Sequence, residues 1–211
     1  MKTNYTFQKN NQLVDFLVKS KKVTKTSIIE ALRLIDRKSF VGNSNEDLCY
    51  QDIPLNIGYG QTISQPSTVC FMLELLQPNE GDHILDIGSG SGWTTALLAY
   101  IAGPNGKVIG IERIKELMEF GEYNFEPYDY FDNATIIPAK PNELGLPGQK
   151  FDRILVSTST KYFPKKLLKQ LKPGGCMVLP VGKSIYQVTR GFNSRLKYKK
   201  FPGYIFVPLY T

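Results

Sequence analysis

The stretch "HILDIGSGSG", residues 83–92, decides how the rest of the chain is read. "HILDI" is a short apolar run, and Gly88, Gly90 and Gly92 follow it at every second position. An apolar run ending in glycines predicts a buried strand that enters a tight turn. "WTTALLAYIAG" then predicts a helix closed by Gly103. "KVIGIE", residues 107–112, predicts a second strand, and Glu112 at its end lies 20 residues after Gly92. A tight turn beside a surface glutamate would not require strand, turn, helix, strand and acid in that order. A nucleoside site would.

The turn also says which nucleoside. Glycines let a ligand approach the backbone, and the helix offers its first amides at the strand's carboxyl end. A dinucleotide reader wants Gly-x-Gly-x-x-Gly, whereas this turn is Gly-x-Gly-x-Gly with Asp86 just before it. Asp86 would set a negative charge beside two phosphates. It suits a cationic or zwitterionic nucleoside, which favours S-adenosylmethionine. Asp86, Gly88, Ser89, Gly90, Gly92 and Glu112 are therefore the expected cofactor residues.

Outward from the turn, strands and helices alternate. "ATIIPA" and "FDRILVS" predict third and fourth strands, and "IKELMEFGEYNF" predicts a helix weakened by Gly121. "PKKLLKQLKPGG" predicts a helix with Pro164 at its start and a Pro-Gly-Gly stop. "CMVLPVG", "SIYQVTR" and "YIFVPLY" predict three more strands, the last two joined by the turn-rich "GFNSRLKYKKFPG". The expected fold is α/β: a Rossmann-like, seven-stranded, mostly parallel sheet with an antiparallel edge. The first 40 residues predict helices. "NQLVDFLVKS" sets Leu13, Phe16 and Leu17 at helical spacing, and "SIIEALRLIDR" opens with a Ser27-x-x-Glu30 capping box. "STVCFMLELLQP" predicts a helix ended near Pro78, while 42–47 and 50–66 predict irregular chain. The division is an N-terminal helical extension and loop, 1–66, and a core, 67–211, forming one compact unit.

Composition bounds the function. A hydrophobic share of 42% with 21% charged residues is globular. No apolar run reaches the roughly 18 residues of a membrane span, and "MKTNYTFQKNNQ" has no apolar signal core. The expected setting is the cytoplasm, with no membrane partner. Cys49, Cys70 and Cys176 are odd in number and His83 is the sole histidine, so free thiols and no metal are expected. Residues 161–211 hold eleven Lys/Arg and no acid, whereas 51–160 hold fourteen acids against six basic residues. That tail could attract nucleic acid, or it could be a solvated face.

"GYGQTIS", residues 58–64, is uncharged and rich in small and hydroxyl residues. Here the chain resembles the protein-L-isoaspartate (D-aspartate) O-methyltransferase family. "YQDIPLNIGYGQTISQP", "ILDIGSGSG", "LLKQLKPGGCMVLPVG" and the closing "FVPL" carry the resemblance, from about Lys25 onward. It implies methyl transfer from S-adenosyl-L-methionine to isoaspartyl-containing proteins or peptides by a monomer with no nucleic-acid partner. It implies Ser64 as the catalytic hydroxyl between substrate and cofactor. Ile57, Gly58, Tyr59, Gln61, Thr62, Ile63 and Val181 would contact the substrate, and Ala139 the cofactor. A carboxylate acceptor is already ionised at neutral pH, so neutral groups that orient it suffice.

Two positions depart from the family pattern. The family has Gly-Asp-Gly after the third strand, its aspartate at the adenine amino group. Here "PAK", residues 138–140, puts Ala139 in its place, with Asn142 or Glu143 as substitute donors or acceptors. After "SQP" many relatives carry histidine, and this chain carries Ser67-Thr68. Two other readings stand beside repair: a carboxyl methyltransferase with another peptide or small-molecule acceptor, and a degenerate cofactor fold that binds nucleic acid.

Overall fold

The computed structural model describes residues 2–42, 45–125, 128 and 132–210. Two helices open the chain, α1 (Lys2–Lys19) and α2 (Thr26–Leu34). Leu13, Val14 and Leu17 form the buried stripe of α1, and Phe16, expected in it, is 51% exposed. Asn10 donates to Leu32 O at 2.9 Å and fastens the two helices together. The expected capping box at Ser27 does not form. Lys25 is the N-cap, and its side chain makes no capping bond. A carboxylate from α3 (Pro66–Leu76) takes over, as Glu74 Oε1 accepts from Thr24 N at 2.5 Å and Lys25 N at 2.7 Å. The helix start is thus capped by a tertiary contact that local pattern does not reveal.

A 3-10 turn, Arg37–Phe40, follows α2, capped by Asp36, whose side chain accepts from Lys38 N. Of the loop expected at 42–47, positions 43 and 44 lie outside the described residues. Part of the segment expected to be irregular is a hairpin of β1 (Leu55–Gly58) and β2 (Gln61–Ile63). Its two-residue turn, Tyr59-Gly60, has φ of 53° and 68°. Two positive φ values make a turn that matches strand twist.

The main sheet comprises β3 (His83–Ile87), β4 (Lys107–Glu112), β5 (Ala134–Pro138), β6 (Phe151–Val156), β7 (Leu171–Val181), β8 (Ser184–Arg190) and β9 (Leu196–Pro202). Its order is β5-β4-β3-β6-β7-β8-β9. The first five of these pair in parallel and the last two are antiparallel additions. Period-two alternation fills both faces. Ile84, Val108, Leu155 and Val178 join a core with α1 to α3 and with α4 (Trp93–Ala102). Leu85, Ile109, Ile154 and Met177 join the opposite core, under Leu167.

Two expectations about the C-terminal third are corrected. The helix from Pro164 is one turn, α6 (Lys165–Leu168), and β7 already runs through the Pro-Gly-Gly expected to stop it. The seventh strand is "LKYKKFP", not "YIFVPLY". Lysines 197, 199 and 200 on this edge are exposed and guard it against further pairing. Residues 204–210 cross the strand ends as a strap: Ser159 N donates to Val207 O, and Leu209 N to Ser159 O.

Candidate functional site

Strand β3 delivers the glycine turn to the sheet's carboxyl edge. Gly88, Gly90 and Gly92 have φ of 78°, 55° and 90°, values that disfavour other residues. Close approach adds to this. A Cβ on Gly88 would lie 2.8 Å from Thr158 Cγ2, and one on Gly90 3.2 Å from Ile57 Cδ1. Gly121, in α5 (Lys115–Tyr123), lets that helix touch the turn: its Cβ would lie 2.6 Å from Ile136 Cδ1 and 3.4 Å from Gly90 O.

The turn, β4, the hairpin and the C-terminal strap enclose a cavity. Of the expected residues, Ile57, Gln61, Thr62, Ile63, Ser64, Gly88, Ser89, Gly90, Glu112 and Ala139 line it. Gly58, Tyr59, Gly92, Asp86 and Val181 do not. Tyr59 points to solvent at 60% exposure. Val181 ends β7 and bridges Thr160. Gly92 sets the start of α4. Asn142 and Glu143 line a separate hollow with Lys166 and Gln170, and not the cavity that Ala139 lines. His83 packs on Phe151, away from the cavity. Trp93, Thr94, Arg113, Ser157 and residues 207–210 also form the wall, and sequence reasoning gave them no role there beyond the "FVPL" match.

Two acids organise the site. Glu112 is 7% exposed, and its Oε2 accepts from Gly90 N at 2.9 Å. Its Oε1 accepts from Arg113 N and Ile114 N at 2.8 and 2.9 Å. The carboxylate thus braces the turn and keeps a lone pair, on Oε2, for a ligand's hydroxyl. Asp86, fully buried, stands one layer behind the wall. Its Oδ2 accepts from Thr94 Oγ1 at 2.6 Å and Thr95 Oγ1 at 2.8 Å, and among the described residues no donor meets hydrogen-bond geometry at Oδ1, although the Ser157 hydroxyl also helps to hold the carboxylate charged. Burial pushes its pKa up to about 6 against the pull of those hydroxyls.

Ser64 follows β2. It does not cap α3, whose N-cap is Gln65; Asp52 Oδ1 instead accepts from Ser67 N at 2.8 Å. Beyond Ser64 a second, outer groove is bordered by Lys21, Lys22, Thr68, Phe71 and Tyr204. Four residues belong to both groove and cavity: Thr62, Ser64, Ser157 and Val207. None of the four is ionisable. Among the described residues no group of three His, Cys, Asp or Glu could hold a metal, and no helix is long and apolar enough to cross a membrane.

The family model described as protein-L-isoaspartate(D-aspartate) O-methyltransferase matches residues 8–211. The protein-L-isoaspartate O-methyltransferase of Methanopyrus kandleri is 36% identical over 202 residues, covering 94% of this chain and 89% of its own. The protein of the same name in Fervidobacterium nodosum is 42% identical over 163 residues, covering 77% and 81%. A Plasmodium falciparum enzyme of that class, solved with S-adenosyl-L-homocysteine, superposes with a TM-score of 0.82 at 25% identity, covering 94% and 97%.

Proposed function

We propose that this chain, which belongs to the protein-L-isoaspartate(D-aspartate) O-methyltransferase family, methylates the α-carboxylate of L-isoaspartyl residues in proteins or peptides, using S-adenosylmethionine. The observation that carries the reading is the uncharged divide, Thr62, Ser64, Ser157 and Val207, between the inner cavity and the outer groove.

The inner cavity fits the cofactor. A side chain at Gly90 would crowd Ile57 and narrow the space between turn and hairpin. Ser89 Oγ and Trp93 Nε1, on the wall, are buried with no partner among the described residues. Glu112 would hold a ribose hydroxyl through the free lone pair of Oε2, and Asp86, acting through Thr94, would favour the ammonium end. When bound, S-adenosylmethionine supplies an electrophilic methyl group on a sulfonium.

The chain's own residues then have a positioning task. The acceptor is ionised at pH 7, so no base must create the nucleophile. A cation pressed on that carboxylate would stabilise its ground state and slow its attack. The Ser64 hydroxyl orients the acceptor without that penalty, and residues 207–210 of the strap supply part of the wall beside it. The amide nitrogen of the following residue then attacks the resulting ester and expels methanol, closing a succinimide that water reopens in part as normal aspartate.

The same reading takes the chain as a cytoplasmic monomer. Its three free, buried cysteines fit a reducing compartment. Nucleic acid has no part in it, since lysines on β9 serve as edge protection. The test is repair itself. An isoaspartyl peptide incubated with the protein and S-adenosylmethionine should convert in part to the aspartyl peptide, resolved by chromatography. No conversion and no methyl ester, with cofactor binding retained, would favour another carboxylate acceptor.

A further inference from the structure

Arg37 is 0% exposed, yet no carboxylate among the described residues lies within ion-pairing distance of it. Its guanidinium donates to backbone carbonyls instead: Nη1 to Cys49 O at 2.7 Å, and Nη2 to Ile53 O at 3.0 Å and Ser64 O at 3.2 Å. A buried cation with no close ion-pair partner among the described residues, Asp52 acting on it only from further away, is placed for its shape, a rigid fork of donors. Strands β1 and β2 pair as far as Leu55↔Ile63. Ile53 and Ser64 lie just outside that last pair. One nitrogen bridging their carbonyls therefore adds a rung at the hairpin's open end and fixes where Ser64 leaves it. On its other side the guanidinium lies over the Trp93 ring, 5.4 Å from its centroid. Trp93 opens α4 and forms part of the cavity wall.

We infer that Arg37 is a positioning residue for Ser64, and that through Trp93 it couples the substrate hairpin to the wall of the cofactor cavity. The inference rests on the methyl-transfer reading. Lysine cannot replace the fork, because its point charge neither spans separated carbonyls in one plane nor stacks on the indole in the same way.

The test is a double-mutant cycle on kcat at saturating S-adenosylmethionine and isoaspartyl peptide, using Arg37→Lys, Ser64→Ala and the pair. Misplacement by about 1 Å costs about 100-fold in a reaction governed by positioning. Arg37→Lys should lower kcat by about 10- to 100-fold and leave S-adenosylhomocysteine affinity within about threefold. It should also shift the emission of Trp93, the sole tryptophan. Adding Ser64→Ala should then change kcat little, because the hydroxyl is already displaced. Losses that multiply, or an unchanged kcat in folded Arg37→Lys, would overturn the inference. If Arg37→Lys does not fold, the wild type decides. Isoaspartyl peptide, its binding followed by calorimetry, should shift Trp93 emission, and bound peptide with no shift would overturn the coupling. A wild-type chain that transfers no methyl removes the functional reading and this inference together; transfer with multiplying losses removes this inference alone.

Discussion

Asp86→Asn should make the ligand-free protein more stable at pH 7 while weakening its hold on cofactor. The Asp86 side chain is wholly buried, and burial raises its pKa from 3.8 to about 6. A folded pKa above the unfolded one means that the folded state prefers the protonated acid. The cost of the buried carboxylate is therefore full above about pH 6, fades as pH falls toward 3.8, and vanishes below it. That cost is about 3 kcal/mol at neutral pH. Asparagine removes the charge and keeps an oxygen for Thr94 and Thr95, but its new N–H groups must be satisfied, at about 1–2 kcal/mol. The net gain is about 1–2 kcal/mol, or about 2–8 °C in Tm for a chain of this size. The lost carboxylate should weaken S-adenosylhomocysteine binding by about tenfold or more. Thermal melts of both proteins from pH 4 to 8, with calorimetric titrations at pH 7, measure both effects. The advantage of the asparagine variant should shrink as pH falls through 6. A variant less stable than wild type at pH 7, with unchanged ligand affinity, would refute the reasoning.

Other expectations test separate parts of the site. Ser64→Ala should lower transfer by about 10- to 100-fold and leave S-adenosylhomocysteine affinity within about twofold, read from kcat and calorimetry. Gly88→Ala forces a side chain into φ of 78° and against Thr158. It should cost about 1–3 kcal/mol by denaturant titration and weaken cofactor binding as the turn shifts. Ala139→Asp offers the cavity's β5 end a carboxylate for the adenine amino group. It should tighten S-adenosylhomocysteine binding by a few-fold to about tenfold, seen in calorimetry, because one hydrogen bond contributes about 0.5–1.5 kcal/mol.

The central strands were legible because burial on both faces leaves a continuous apolar signal. "HILDI" and "KVIGIE" are strands over the residues expected. The hairpin was hidden because its strands have only four and three residues and its turn uses Tyr59, a residue uncommon at positive φ. The last strand was missed for the opposite reason. An exposed edge needs charge, so "LKYKKFP" looks like a loop, while the apolar "YIFVPLY" serves the strap and the cavity wall. Most of the expected site residues converge on one cavity. Arg37 was invisible because its partners are carbonyls supplied from 12 to 27 positions away, which no local spacing encodes.

The most direct measurement is the initial rate of labelled-methyl transfer from S-adenosylmethionine to two peptides identical except for isoaspartate or aspartate at one site. The account predicts base-labile label on the isoaspartyl peptide alone, with the rate collapsing in Ser64→Ala. Equal labelling of both peptides, or transfer that does not depend on Ser64, would contradict it.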